Sequence, residues 1–259
     1  MKHADPLTFV LIVTFIGLIV FYLWRTKRGK IPYVRKISGV AAIEEAVGRA
    51  TEMGKPVVFA MGYDDIRGIN THVALAVMGY AARIAARYRV KFVALIRLPN
   101  VYPFAEETVR EAYKAEGVVD AFNAEEQVLF LSEDGVVYAM AVARYIDENK
   151  AGCAIFLGAF GFTSLLMTEP GAQSGVIQIA GDPFLWQIPF FVCTCDHTII
   201  GEEYFASGAY VSTDPTMRGT LVSQDLIKVV FAGLIILGTL CYHLDLPPAR
   251  WIADLLTKY

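Results

Sequence analysis

Residues Leu7 to Trp24 form 18 consecutive positions without a charge, broken only by Thr8, Thr14 and Gly17. As a helix this run reaches about 27 Å, close to the hydrocarbon thickness of a bilayer. A signal peptide would carry a basic amino end, a shorter apolar stretch and a small-x-small cleavage site. Here Trp24 is followed instead by Arg25, Lys27, Arg28 and Lys30. The run therefore reads as an uncleaved anchor, and the basic flank places the following chain in the cytoplasm by the positive-inside rule.

A second apolar run, Leu226 to Tyr242, is shorter and has Lys228 near its start. It reads as a second span with Lys228 reaching the interface, or alternatively as a buried core helix. Beyond it, Trp251, Ile252, Leu255 and Leu256 recur at helical spacing after Pro247-Pro248, which predicts a short amphipathic helix on a membrane or on a neighbouring subunit. The expected organisation is an anchor with its basic flank over 1–30 and a cytoplasmic domain over 31–225. A second transmembrane helix over 226–243 and the tail over 244–259 complete it.

Composition agrees with a membrane setting. Hydrophobic residues make up 55% and charged residues 19% of the 259, and mean hydropathy is +0.45. These values exclude a disordered chain and disfavour a purely soluble one. A formal charge of -3 gives no general reason to expect a nucleic-acid partner. Four cysteines are too few and too clustered for a disulfide framework.

Between the two apolar runs, strand-length apolar stretches alternate with helix-period segments. VVFAM (57–61), VKFVALI (90–96), VLFL (128–131), CAIFLG (153–158), VIQIAG (176–181) and FFVCTC (190–195) read as strands. Helices are expected over about 39–53, from Asn70 or Thr71 as cap to about Arg87, from Pro103 to Gly117, over 136–149, near Ser164, and over 200–210. This is the pattern of an α/β fold, a mostly parallel sheet with helices on both faces. No linker composition divides it.

The 72–87 helix is rich in small residues, among them Gly79, Ala82 and Ala86. Such a face suits packing within one subunit or contact between copies. The loop DPFLWQIP (182–189) places Phe184, Leu185 and Trp186 in a connection, where apolar density suggests a lid, a partner contact or a membrane contact.

Ligands of open α/β sheets bind beyond the carboxyl ends of the strands. That rule nominates Gly62 with Asp64, Asn100 with Arg97, Gly158 through Gly161, Thr163 and Ser164, Asp182, and Asp196 with His197. The stretch GAFGFTS (158–164) joins a strand to a helix through glycines, so its N–H groups could cradle a phosphate, although it lacks a Walker lysine and GxGxxG. Asp196, His197, Glu202 and Glu203 could form an acid/base group with Thr163 or Ser164 as nucleophile. Cys193 and Cys195 would face the same side of a strand, but no second Cys/His pair completes a zinc set, so neither a metal nor a cofactor is expected.

The stretches AIEEAVGRATEMGKPVVFAMG (42–62), GVIQIAGD (175–182) and IPFFVCTCDHTIIGEE (188–203) resemble an uncharacterised family of prokaryotic membrane-anchored proteins known only as a domain of unknown function. The resemblance covers about residues 36–225 and implies an anchored α/β protein. It brings no activity and no catalytic residue. Two functions remain open: a homo-oligomeric structural or assembly protein held beside membrane lipid, and a ligand-binding or enzymatic domain for a nucleotide or another phosphorylated small molecule.

Overall fold

The computed structural model describes residues 6–27, 37–212 and 215–243, with some side chains of the first and last helices outside the description. The chain divides into two units, one of residues 35–212 and one formed by the segments 1–34 and 213–259. The expected amphipathic tail at 244–259 and the basic residues Arg28 and Lys30 lie outside the described residues.

In chain order the elements begin with α1 (Pro6–Lys27), α2 (Ser38–Glu52), β1 (Val57–Met61), α3 (Ile69–Tyr88), β2 (Phe92–Ile96) and α4 (Tyr102–Ala115). They continue with α5 (Ala124–Gln127), β3 (Val128–Phe130), α6 (Gly135–Glu148), β4 (Cys153–Leu157), α7 (Ser164–Gln173) and β5 (Ile177–Asp182). The last are α8 (Ile188–Thr194), β6 (His197–Ile200), α9 (Glu202–Val211) and α10 (Pro215–His243).

The sheet is fully parallel, in the order β3-β2-β1-β4-β5-β6. This is the doubly wound order, with the reversal of winding between β1 and β4. Every residue of β1, β2 and β4 is buried, as continuous apolar runs in such a sheet require. Their side chains alternate between two cores. Val57, Phe59 and Met61 meet α2, α3 and α4, whereas Val58 and Ala60 meet the layer of α6 and α7. The crossover helices of a doubly wound sheet leave half of one face bare above β4 to β6. The preceding helix α2 fills that half through Val40, Ile43 and Val47, with Gly39 close against Ile199 of β6.

Two expectations fail here. The stretch 190–195 is not a strand but lies mostly in α8, and the sixth strand is 197–200. Pro189 in the first turn and burial of Ile188 and Phe191 three apart give that segment its helical period. Its aromatic and β-branched content is what suggested a strand. Second, α3 is capped at Gly68, without a side-chain cap. Asn70 and Thr71 point their polar groups back to the loop before it, to Asp64 and Asp65.

The small residues of α3 are used inside the chain. Ala82 and Ala86 are buried in the core, and a Cβ on Gly79 would lie 3.0 Å from Thr108 of α4. Ala82 and Ala86 are thus covered within the chain, whereas Gly79 stays half-buried beside α4.

The other unit pairs α1 with α10. Phe15 stacks on Phe231 with ring centroids 4.9 Å apart, and Gly219 backs onto Thr26 so closely that a Cβ would sit 2.6 Å from its hydroxyl. Contacts that advance along one helix while receding along the other define an antiparallel pair. Among the described residues no helix is long and apolar enough to cross a membrane.

Candidate functional site

The carboxyl edge of the sheet gathers most of the residues nominated above. Gly62 and Asp64 follow β1, Asn100 follows β2, Gly158 to Ser164 follow β4, and Asp182 ends β5. Asp196 and His197 do not belong with them. They sit at the amino end of β6, where the Asp196 carboxylate accepts the Gln178 N–H at 2.7 Å. His197 is exposed there and lines a small cavity with Glu45 and Arg49 of α2. The proposed group of His197 with Glu202, Glu203 and a hydroxyl nucleophile is therefore split between opposite ends of a strand.

At the switch point itself the crevice is shut. The Gly62 N–H donates to the Leu157 carbonyl and the Tyr63 N–H to the Ala159 carbonyl, both at 2.8 Å. Pairing thus continues past the ends of β1 and β4. A Cβ on Gly62 would fall 2.6 Å from the Gly158 Cα, so two bare backbones touch where a dinucleotide would otherwise enter. The space bounded by Gly62, Asp64, Asn70 and Gly158 admits no water molecule.

The loop before α3, whose amino end would be the usual seat of a pyrophosphate, carries two carboxylates. Asp64 accepts the Asn70 side-chain amide at 2.5 Å, and Asp65 accepts that of Asn100 at 2.6 Å. The Thr71 hydroxyl lies 2.9 and 2.8 Å from the Asp64 and Asp65 carbonyls and donates to this pair. These negative charges lie just ahead of the positive end of the helix, where they disfavour a further anion.

The glycine loop after β4 is filled as well. Gln187 is fully buried, and its Oε1 accepts the N–H groups of Phe160 at 2.9 Å and Gly161 at 2.8 Å. These are the donors that a phosphate cradle would offer. Thr163 and Ser164 are buried and lie 2.6 and 2.8 Å from the carbonyls of Phe160 and Gly161. Neither hydroxyl stands as a free nucleophile. Thr163 also meets the Tyr63 hydroxyl at 2.5 Å, and Tyr63 reaches the Gly135 carbonyl at 2.6 Å. Arg97 lies over the Tyr63 ring, 4.7 Å from its centroid.

Asp182 is the most perturbed carboxylate here. It is fully buried, its Oδ1 accepts the Phe184 N–H at 2.6 Å, and its Oδ2 has no partner among the described residues. Burial lifts its pKa to about 7, aided by the charge of Asp64 and opposed by the Phe184 N–H. Nearby Tyr204 donates to the Asn70 carbonyl at 2.7 Å.

No cluster among the described residues could hold a metal ion. Cys193 lies on α8 and Cys195 follows it, so the strand geometry that would have paired them does not exist. Burial pushes the Cys195 thiol up to about 12, which keeps it an inert apolar group.

The family described as "Domain of unknown function (DUF6754)" matches residues 2–250. The chain belongs to this family. No curated protein and no solved structure matches it.

What the DUF6754 chain displays at this edge is apolar surface. Leu185 is 69% and Trp186 60% exposed, beside Phe184, and Phe162 is 70% exposed on the neighbouring loop. The Gly161 backbone packs toward Trp186, so the two loops touch. Gln187, which sequence reading passed over, holds them together. Its signal was present as a single amide inside the apolar stretch FLWQIPFF.

Proposed function

We propose that this chain is a membrane-anchored assembly protein whose cytoplasmic α/β domain associates with further copies through the Phe184–Trp186 loop. The observation that carries the reading is the exposure of Leu185 and Trp186 on a loop fixed by the buried Gln187. Large apolar side chains held rigidly in water mark an interaction surface. The crevice that would serve a nucleotide is closed and acidic, which disfavours the ligand-binding reading.

Membrane attachment is supported by the uncharged run Leu7 to Trp24, which falls within one helix, Pro6–Lys27. Phe9, Ile12, Val13, Ile16 and Val20 of α1, and Val229, Ile235 and Ile236 of α10, are exposed apolar groups suited to lipid. The antiparallel pairing brings the end of α1 and the start of α10 to one side, as two spans enclosing a single cytoplasmic domain require. Anchoring raises the local concentration of copies, so a small apolar contact suffices for lateral association.

The test is the mass of the full chain purified in mild detergent, for the native sequence and for L185D/W186D. A discrete homo-oligomer that the double substitution converts to monomer supports the reading. A native monomer at all concentrations, or an oligomer indifferent to the substitution, overturns it.

A further inference from the structure

At the amino edge of the sheet, away from the surface just described, α3, α4 and the segment leading into β3 enclose a half-open cavity of about 490 Å³. Sites for small molecules run from about 300 to 1,000 Å³. Its lining joins three polar groups. Arg89, directly after α3, and Asp120, in the turn Val119–Ala121, carry opposite charges, yet neither forms an ion pair among the described residues. Lys91 and Glu126, also on the rim, do pair, at 3.6 Å.

The third group is Tyr113, which is 3% exposed. Its oxygen accepts the Gln127 side-chain amide at 2.8 Å, and Gln127 in turn accepts the Asn123 N–H through Oε1. No side chain among the described residues takes the phenol proton, and the Phe92 backbone also hydrogen-bonds the phenol.

We infer that this cavity binds a small zwitterion of the α-amino acid class. Its carboxylate meets Arg89 and receives the Tyr113 proton, and its ammonium meets Asp120. A ligand with both charges neutralises two separated groups at once, and a lone anion or amine leaves one of them unmatched. The Lys91–Glu126 pair adds no net charge to the rim, which keeps the site neutral overall.

The test is calorimetric titration of the full chain in detergent with each of the twenty free amino acids. For the tightest binder, the corresponding acid lacking the amine and the amine lacking the acid follow. Saturable binding is expected, weakened about ten- to a hundredfold by R89A and by D120A, as for lost charge-assisted hydrogen bonds. Y113F should weaken it less, and both truncated compounds should bind at least about tenfold more weakly. Circular dichroism melts of R89A and D120A should match the native chain, because both residues are exposed. Absence of heat with every amino acid overturns the proposal. So does binding unchanged in R89A, and so does a truncated acid as tight as its parent, which would make the cavity an anion site.

Discussion

Gln187 accepts the backbone N–H of Gly161 at 2.8 Å, placing an amide oxygen where a doubly wound sheet would present its loop donors to a phosphate. The same oxygen takes the Phe160 N–H at 2.9 Å. One neutral side chain thus closes a potential anion site and fixes the loop that displays Leu185 and Trp186. Stability and surface presentation are coupled through it.

Truncation should show that coupling. Q187A leaves one buried and one half-buried N–H without an acceptor, so a loss of about 1–3 kcal/mol is expected in urea melts. Limited proteolysis should then cut first within 183–187, since the anchoring contact is gone. Unchanged stability together with an unchanged cleavage pattern would show that the contact does not hold the loop.

Asp182 predicts a pH signature. In the folded chain its carboxyl keeps a proton up to about pH 7, against 3.8 for the ordinary group. Between these values the folded state binds the extra proton, so stability falls as pH rises. This contribution is full below 3.8 and lost once pH passes about 7. D182N cannot titrate. The stability difference between D182N and the native chain should drift across that window, by at most about 1.4 kcal/mol per pH unit, and stay flat above it. Parallel curves from pH 4.5 to 8 would contradict a neutral buried carboxyl.

Much of this architecture was legible in sequence. The runs VVFAM and CAIFL, and VIQIAG from Ile177 onward, became strands because apolar content without period marks strands buried on both faces. The same absence of period misled at 190–195, where a short buried helix and a buried strand look alike and only the burial of Ile188 and Phe191 separates them. The strand-end rule placed Gly62, Gly158 and Asp182 on one edge. It misplaced Asp196 and His197, since a strand read too early turned its amino end into a carboxyl end. That Gln187 and the carboxylates of Asp64 and Asp65 would occupy the ligand's place depends on tertiary contacts, which no local spacing encodes.

Thiol chemistry offers a direct check of the helix at 188–194. In a C241S background, a maleimide at pH 7.5 should modify exposed Cys193 within minutes. Cys153 and Cys195 should stay unlabelled until denaturant is added, because burial raises both thiols to about 12 and leaves almost no thiolate. A β-strand over 190–195 would instead turn Cys193 and Cys195 to one side, with like reactivity. Equal labelling rates would therefore refute the helix.

The contact of Gly62 with Gly158 yields the strictest prediction. A methyl group on either residue would lie under 3 Å from backbone atoms of the other, at 2.6 and 2.8 Å. Backbone cannot swing aside as a side chain does. Gly158 also holds φ +118, a conformation L residues rarely adopt. G62A and G158A should each destabilise the domain by at least about 3 kcal/mol, with part of the change appearing as lost expression. The native chain should meanwhile show no rise in melting temperature with millimolar ATP, NAD or FMN, because a ligand stabilises only a fold that has room for it. A rise of several degrees with any of these would mean that the strand ends part, and that the closed crevice is one state of a site that opens.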